Sequence, residues 1–390
     1  VSDSNKKPVS AVTIFEAKLT PDQEKLIEKV SKIVQKKTGV QLGTNRKAMV
    51  NSRVFRRMAK LGMTSPGQYL NHLEKNEALE VDALVSLLTT HHTHFFREFQ
   101  QFEYLIDHAI PTLVTEKNKT GQPKVIRIWC AAASRGQEIY SLAMLLDYHL
   151  PNLAPGFEFE IFGSDVDMDS VKIAKNGVYR WDELKEAPSV YLEGNWVKGT
   201  GEIADYVKVS DKLKKRCSWG VVNLIDPDFT GVKSGKFDVV FCRNVFIYFT
   251  PEQIEKIAKN IFKRIESFGF FFVGLSESLL QLNAPFQYVG PSIYVPKGET
   301  VSESRRDSNV PIQKSSFTVP ETVRVFCVDD SPTVISILRN VFKAGTGFEV
   351  VGTAKNGVEA RDWLAKNTCD VMTLDLQMPV MGGIDYLKNH

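Results

Sequence analysis

The sequence predicts an α/β protein in three parts: a basic helical N-terminal domain, a larger domain built on a mostly parallel sheet, and a shorter α/β segment beyond a linker. Three observations carry this reading. Residues 21–100 keep helical spacing almost throughout, apolar runs with strand character alternate with helical ones from residue 122, and the alternation begins again after a polar, Ser-rich stretch at 298–321.

In the first part, "NRKAMVNSRVFRRMAKLGM" (45–63) places Val50, Val54, Met58 and Leu61 on one stripe of a helix, and Arg46, Arg53, Arg57 and Lys60 on an adjoining stripe that is expected to face out. "TSPGQYLNHLE" (64–74) offers a Thr/Ser cap with Pro66 near the first helical position, opening another short helix. In the second part the strands are "KVIRIWCAAA", "FEFEIFGSDVD", "FDVVFCRNV" and "GFFFVGLSES", separated by helices starting at Glu138, Met168 and Thr250. Such alternation implies a sheet covered on both faces. "FQYVGPSIYVP" (286–296) reads as one further strand, and 181–219 as an insertion of short strands around Gly199 and Gly201 rather than a sheet layer. The third part has three strands, "VRVFCVDDS", "FEVVGTAKN" and "DVMTLDLQMP", with helices between them. There are no internal repeats at solenoid periods. The expected boundaries are 15–98, 99–297 with the insertion at about 181–219, a linker at 298–321, and 322–390.

At 43% hydrophobic and 24% charged, the composition is that of a globular protein rather than a fibre or a disordered chain. Five cysteines, Cys130, Cys217, Cys242, Cys327 and Cys369, are odd in number and contain no C-x-x-C pair, which argues against a disulfide framework or a structural zinc site. A reducing cytoplasm fits that usage. The sequence shows no signal-peptide pattern and no apolar run long enough for a membrane span, so neither export nor direct membrane insertion is expected. Net charge is +3, yet residues 21–75 hold 12 Lys and Arg against 4 Asp and Glu. This local excess fits an acidic partner, or else a solvated helix face.

The stretch "RIWCAAASRGQEIYSLAM" (127–144) runs from a buried strand through a tight turn into a helix, the form of a nucleotide site. Its turn has only Gly136, too few glycines for the close backbone cradle of a pyrophosphate. Ala131, Ala132 and Ala133 keep the turn free of bulk. Glu138 can accept hydrogen bonds from an ammonium, and Asp165, ending the second strand, stands where an acid commonly binds ribose hydroxyls. A nucleoside with an amino-acid tail satisfies both carboxylates, and S-adenosylmethionine is the obvious candidate.

With "TTHHTHFFRE" (89–98), "GSDVD" (163–167), "NLI" (223–225) and "CRNVFIYF" (242–249), the chain resembles the chemotaxis receptor glutamate methyltransferases, the CheR family, over roughly residues 20–297. The resemblance implies a basic helical domain and a Rossmann-like S-adenosylmethionine-dependent domain with a small β-subdomain inserted late in the sheet. Its cofactor contacts fall on Thr93, Arg97, Glu138, Asp165, Asn223, Leu224, Arg243 and Asn244, with Tyr248 beside the transferring methyl. His91 replaces the family's usual Asn; it can still hydrogen-bond the cofactor, with a charge that depends on pH. Ile139 stands where many members have Pro. "HHTH" also admits a metal reading, but no Cys or carboxylate at metal-like spacing accompanies it.

The implied reaction moves a methyl group from a sulfonium to a glutamate carboxylate. With an ordinary pKa of about 4.3 the nucleophile is already ionised at neutral pH, so no general base is needed. Positioning and exclusion of water, which can supply roughly 7–11 kcal/mol, should dominate. Arg97 is expected to orient the substrate carboxylate and Tyr248 to line the methyl path, making these two the catalytic candidates. The family's substrates are glutamates on receptor coiled-coil helices, to which Arg46, Arg53, Arg57 and Lys60 are suited; nucleic acid is not expected as a partner. Some members also bind a receptor tether through a loop with three glycines. Here Gly199 and Gly201 match, and Asp205 stands where the third would align.

The last segment resembles a response-regulator receiver of flavodoxin-like fold, of the kind that heads chemotaxis methylesterases (CheB-like). Asp329 and Asp330 match its magnesium-binding acidic pair, Asp375 the phosphoryl acceptor, and "MPVMGG" (378–383) the following loop. Asp375 and the carbonyl of Gln377 would complete the magnesium site, and a histidine kinase would be the phosphodonor. Since a receiver has five strands, this segment is expected to be truncated and unable to act as a phosphorylation switch. Two other functions fit the sequence less well: a cofactor-sensing or phosphorylation-linked adaptor, favoured by His91, and a methyltransferase for another acidic substrate, disfavoured by the basic helix.

Overall fold

The computed structural model describes residues 19–43, 46–89, 93–298, 322–342, 347–375 and 378–389. The chain divides into two compact units, residues 1–300 and 301–390. The linker expected at 298–321 lies, apart from residue 298, outside the described residues.

Unit one opens with four helices: α1 (Pro21–Thr38), α2 (Lys47–Lys60), α3 (Pro66–Lys75) and α4 (Glu77–Leu88). Thr20 and Ser65 each close a capping box with a glutamine three residues on, and a proline follows each cap. The apolar stripe of α2 is buried as expected at Val50, Val54 and Met58, against Leu26, Val30 and Val34 of α1 and Leu84 of α4. Arg53 and Arg57 do not face out. The Arg53 Nη1 donates to the Leu87 and Thr89 carbonyls at 2.8 and 3.0 Å. Arg57 is paired with Glu80, whose side chain is only 2% exposed, through bonds of 3.1 and 2.8 Å. Their partners come from α4 and its end, 23 to 36 residues away, which periodicity within α2 cannot show.

A helix broken by a π-turn follows as α5 (Gln100–Tyr104) and α6 (Ile110–Thr120) and leads to the sheet. In chain order come β1 (Val125–Ala131), α7 (Gln137–Leu153), β2 (Glu158–Asp165), α8 (Met168–Asn176), β3 (Val178–Arg180), β4 (Trp196–Lys198), β5 (Tyr206–Val209), α9 (Asp211–Lys214), β6 (Cys217–Val221) and β7 (Phe237–Phe241). Then follow α10 (Pro251–Arg264), β8 (Ile265–Phe272), β9 (Phe286–Gly290) and β10 (Ile293–Pro296). The seven-stranded sheet has the order β6-β2-β1-β7-β8-β10-β9. Its first five strands are parallel, whereas β10 is antiparallel to β8 and β9 to β10. This is the Rossmann-like fold the motifs implied.

Three details differ from the sequence reading. The closing stretch is a hairpin of two strands, because Pro291 and Ser292 turn the chain between β9 and β10. Cys217–Val221 belongs to the main sheet as an edge strand paired with β2, so the insertion ends earlier. Strands β3, β5 and β4 form the small antiparallel sheet, which is inserted after the second strand of the main sheet rather than late in it.

Both faces of the sheet are dry. Trp129 and Phe237 pack on one side, and Phe241 and Phe272 stack on the other with centroids 4.5 Å apart. Full burial of such side chains is worth about 1.5–3 kcal/mol each. At the N-terminal end of the strands, Lys117 and Asp238 form a buried ion pair at 2.9 Å, and Asp238 also accepts from the Arg127 amide at 2.7 Å.

Unit two has a parallel sheet ordered β12 (Phe348–Ala354), β11 (Val323–Val328), β13 (Val371–Leu374), with helices α11 (Pro332–Val341), α12 (Gly357–Leu364) and α13 (Gly383–Asn389). Phe326 and Trp363 stack with centroids 4.0 Å apart in its core. Among the described residues no helix is long and apolar enough to cross a membrane.

Candidate active site

The site lies at the C-terminal ends of β1, β2 and β7, where a doubly wound sheet opens a crevice. After β1 the chain makes a tight turn with left-handed backbone at Ala132 and Ser134 and at Gly136, φ +65°, +50° and +93°. A Cβ on Gly136 would sit 2.9 Å from both Ala174 Cβ and the Tyr179 hydroxyl, so glycine is required where turn, helix α8 and the small sheet meet. The Ser134 and Asp167 amides donate to the two Asp165 carboxylate oxygens at 2.8 and 2.9 Å. That fixes Asp165 at the end of β2, on the wall of the cleft.

Glu138, in the first turn of α7, is largely buried, and its nearest cation is Arg243, with Nη1 3.5 Å from Oε2. Burial pushes the Glu138 carboxyl above its ordinary value, while Arg243 pulls it down. Arg243 follows β7 and lies over the rings of Phe102 and Phe241. Its Nη2 donates to the Arg97 carbonyl at 2.5 Å and to Glu98 Oε2 at 3.2 Å. Asn244, with φ +56°, donates from Nδ2 to Glu98 Oε1 at 2.9 Å.

The loop carrying Asn244 is pinned by Glu277, which accepts from the amides of Asn244, Phe246 and Gly274 at 2.8, 2.7 and 2.6 Å. Burial raises the Glu277 carboxyl against the pull of these amides. This loop ends in a single helical turn bearing Tyr248. Five of the eight non-glycine residues with positive φ among the described residues, Phe96, Glu98, Ala132, Ser134 and Asn244, belong to these segments. Left-handed backbone outside glycine costs about 1–3 kcal/mol per residue and persists where surrounding structure fixes it, commonly at functional sites.

The helical domain caps the crevice. Gly39, in left-handed conformation after α1, presses so close to Ile225 that a Cβ would lie 2.4 Å from its Cγ2. Gln41 donates its amide to the Tyr248 carbonyl at 2.8 Å, and Asn223 Nδ2 donates to the Lys37 carbonyl at 2.7 Å. The guanidinium of Arg46 stacks 4.4 Å above the Tyr248 ring.

The enclosed cleft, about 1020 Å³ with its open mouth included, brings together Thr93, Arg97, Glu138, Asp165, Asn223, Leu224, Arg243, Asn244 and Tyr248. Arg46 lines it too, whereas Arg53, Arg57 and the exposed Lys60 do not. His91 lies outside the described residues. Sequence reading missed Glu98 and Glu277, most of whose partners are 31 to 177 residues away, and Thr38, Val40 and Leu88 of the cap. Glu98 was visible only as the last letter of a motif.

Comparison with known proteins decides the family. Residues 91–295 match the model for the CheR methyltransferase S-adenosylmethionine-binding domain, and residues 25–89 the CheR all-alpha domain. The chain belongs to the CheR methyltransferase family. It is 35% identical over 267 residues to the chemotaxis protein methyltransferase of Escherichia coli K12, covering 68% of this chain and 88% of that one. To the chemotaxis protein methyltransferase of Borreliella burgdorferi it is 30% identical over 269 residues, covering 69% and 93%. This CheR chain also carries a match to the response regulator receiver domain at 325–389. In that region it is 37% identical to the solved response regulator domain of Thermotoga maritima CheB, covering 17% of this chain and half of that one, with TM-score 0.17. The protein is thus a chemotaxis methyltransferase with a receiver segment, as its motifs implied.

The residues of the CheR cleft fit S-adenosylmethionine. Two carboxylates, Asp165 and Glu138, suit hydroxyls and an ammonium, and the buried Arg243 has Nε and Nη1 without hydrogen-bond partners. In the receiver segment, ligand oxygens of Asp329, Asp330 and Asp375 lie within 4.8 Å of one another, a donor set of hard oxygens that suits a divalent cation such as magnesium. Gln377, expected to add a carbonyl, lies outside the described residues.

Proposed function

We propose that this protein methylates glutamate carboxylates on the acidic coiled-coil helices of chemotaxis receptors, in the adaptation of chemotactic signalling. When bound, S-adenosylmethionine supplies an electrophilic methyl group on a sulfonium. Asp165 would hold the ribose hydroxyls, Glu138 would accept from the ammonium, and Thr93, Leu224 and Asn244 would complete the cofactor wall. Asn223 contributes mainly by clamping the cap, since its Oδ1 accepts from Ile225 and its Nδ2 donates to Lys37.

The observation that carries the reading is the pairing of Arg46 with Tyr248 in the same cleft as two carboxylates suited to the cofactor. A glutamate entering there would meet two cations of the cleft wall, Arg46 from the cap and Arg97, so its ionised oxygen would be oriented without any base. Lys60, exposed on α2, extends the attraction for an acidic helix, while Arg53 and Arg57 hold α2 in shape. All five cysteines are free, in keeping with a cytoplasmic protein.

For the receiver segment, Asp329, Asp330 and Asp375 would hold magnesium, which would neutralise charge on a phosphoryl group bound for Asp375 from a histidine kinase. The division at 15–98, 99–297, 298–321 and 322–390 is the working domain layout. Incubation with methyl-labelled cofactor and receptor-containing membranes tests the main reading. Label released by mild base supports it, and base-stable label or none opposes it.

A further inference from the structure

Arg97, Glu98, Arg243 and Glu138 form a chain of alternating charge along the wall of the cleft. Arg97 Nε lies 3.7 Å from Glu98 Oε1, Glu98 Oε2 lies 3.2 Å from Arg243 Nη2, and Arg243 Nη1 lies 3.5 Å from Glu138 Oε2. Only three of the four line the cleft; Glu98 stands behind it. We infer that Glu98 is a positioning residue that sets this chain to read the zwitterionic amino-acid tail of the cofactor. The inference rests on the cofactor placement proposed above.

The argument turns on Arg243, which is buried between two carboxylates and has no further anion among the described residues. Glu98 draws its Nη2 away from the cleft and, with the Arg97 carbonyl, fixes it there. Nη1 is thereby left 3.5 Å from Glu138 Oε2, without a hydrogen bond to it, and Glu138, which accepts otherwise from the Cys130 thiol, has acceptor capacity for an ammonium. The outer members then present a cation, Arg97, and an anion, Glu138, to the two charges of the tail.

Glu98 is itself tightly held. Besides Arg243 it accepts from Asn244 Nδ2 at 2.9 Å and the Leu275 amide at 3.0 Å, and its backbone is left-handed at φ +57°. A residue serving only to make this turn would be better as glycine. A charged side chain there that holds Arg243 and Asn244 of the cleft wall, as well as the Leu275 amide, has a charge-setting task. Without its charge, Arg243 is free to close on Glu138 and consume the acceptor.

The test compares two ligands that share a nucleoside and differ in the tail: S-adenosylhomocysteine and 5′-methylthioadenosine. Titration calorimetry on the full chain is run with the native protein, Glu98→Gln, Glu98→Gly and Asp165→Asn, each checked by thermal unfolding. Both Glu98 variants should weaken S-adenosylhomocysteine on the order of tenfold while changing methylthioadenosine by less than about twofold. Glu98→Gly suits the left-handed backbone and serves if Glu98→Gln fails to fold. An equal loss for both ligands, or no loss for either, overturns the inference. Asp165→Asn should weaken both ligands; if it affects neither, the ribose placement fails, and that result is separate from the ratio that judges Glu98.

Discussion

Arg46 and Tyr248 are stacked across the seam between the helical cap and the methyltransferase domain, with the guanidinium 4.4 Å from the ring centroid. The cap and Tyr248 therefore line one cleft. Arg46→Ala should raise the receptor KM about tenfold, through loss of a charge-assisted contact to the substrate carboxylate, and leave S-adenosylhomocysteine affinity within about twofold. Steady-state kinetics on receptor membranes, paired with calorimetry, checks the split. A loss of cofactor affinity as large as the rise in KM would place Arg46 at the cofactor instead.

Asp165 receives two backbone amides that hold it on the cleft wall. Asp165→Asn should weaken S-adenosylhomocysteine by about 1–3 kcal/mol, since one oxygen that accepts from the ribose becomes a donor. Calorimetric titration measures this directly.

Cofactor affinity should depend on pH through Glu138, whose carboxyl is raised by burial with Arg243 opposing and Glu98 adding to the rise. In the proposed placement, ionised Glu138 would hold the ammonium by a charge-assisted bond, and protonation would remove that charge. Affinity should therefore fall as pH drops through this raised value, earlier than for an ordinary carboxylate, and Glu138→Gln should flatten that step. Identical profiles in native protein and variant would remove Glu138 from the tail site.

Arg57 should act on stability rather than on receptor binding. Its partner Glu80 is buried, also accepts from Tyr69, and lies beside His72. Arg57→Ala removes the bidentate cation from that carboxylate, leaving it to Tyr69 and His72, and should cost about 1.5–3 kcal/mol in denaturant unfolding. Burial raises the Glu80 carboxyl, but the bonds from Arg57 and Tyr69 outweigh it, and the net shift is downward. A depressed carboxylate stabilises the fold above its unfolded value and loses that contribution as pH falls through the folded one. The native helical domain should accordingly weaken in acid below the ordinary glutamate range, and Arg57→Ala should lose much of that dependence.

The parts of this structure that were legible in the sequence are those set by local pattern. Val50, Val54 and Met58 announced the buried face of α2, and "RIWCAAASRGQEIY" announced a strand, a tight turn and a helix. Long-range pairing was not legible. The strand Cys217–Val221 is short, partly exposed and half-polar, so nothing in its own pattern showed that it adds an edge to the main sheet. Arg53 and Arg57 looked like a solvated stripe because the carbonyls and the carboxylate that bind them belong to α4 and its end. Glu277 escaped for the same reason: its partners are backbone amides, which leave no mark in a sequence.

The central claim, methyl transfer to receptor glutamates, is tested most directly by mapping the product. Receptor-containing membranes incubated with the protein and S-adenosylmethionine are digested and sequenced by tandem mass spectrometry, with Arg46→Ala run in parallel. The account predicts single methyl esters on glutamate side chains of a receptor helix, removed by mild base and much reduced in the variant. Methylation on nitrogen, or receptor glutamates left unmodified while the cofactor is bound, would contradict it.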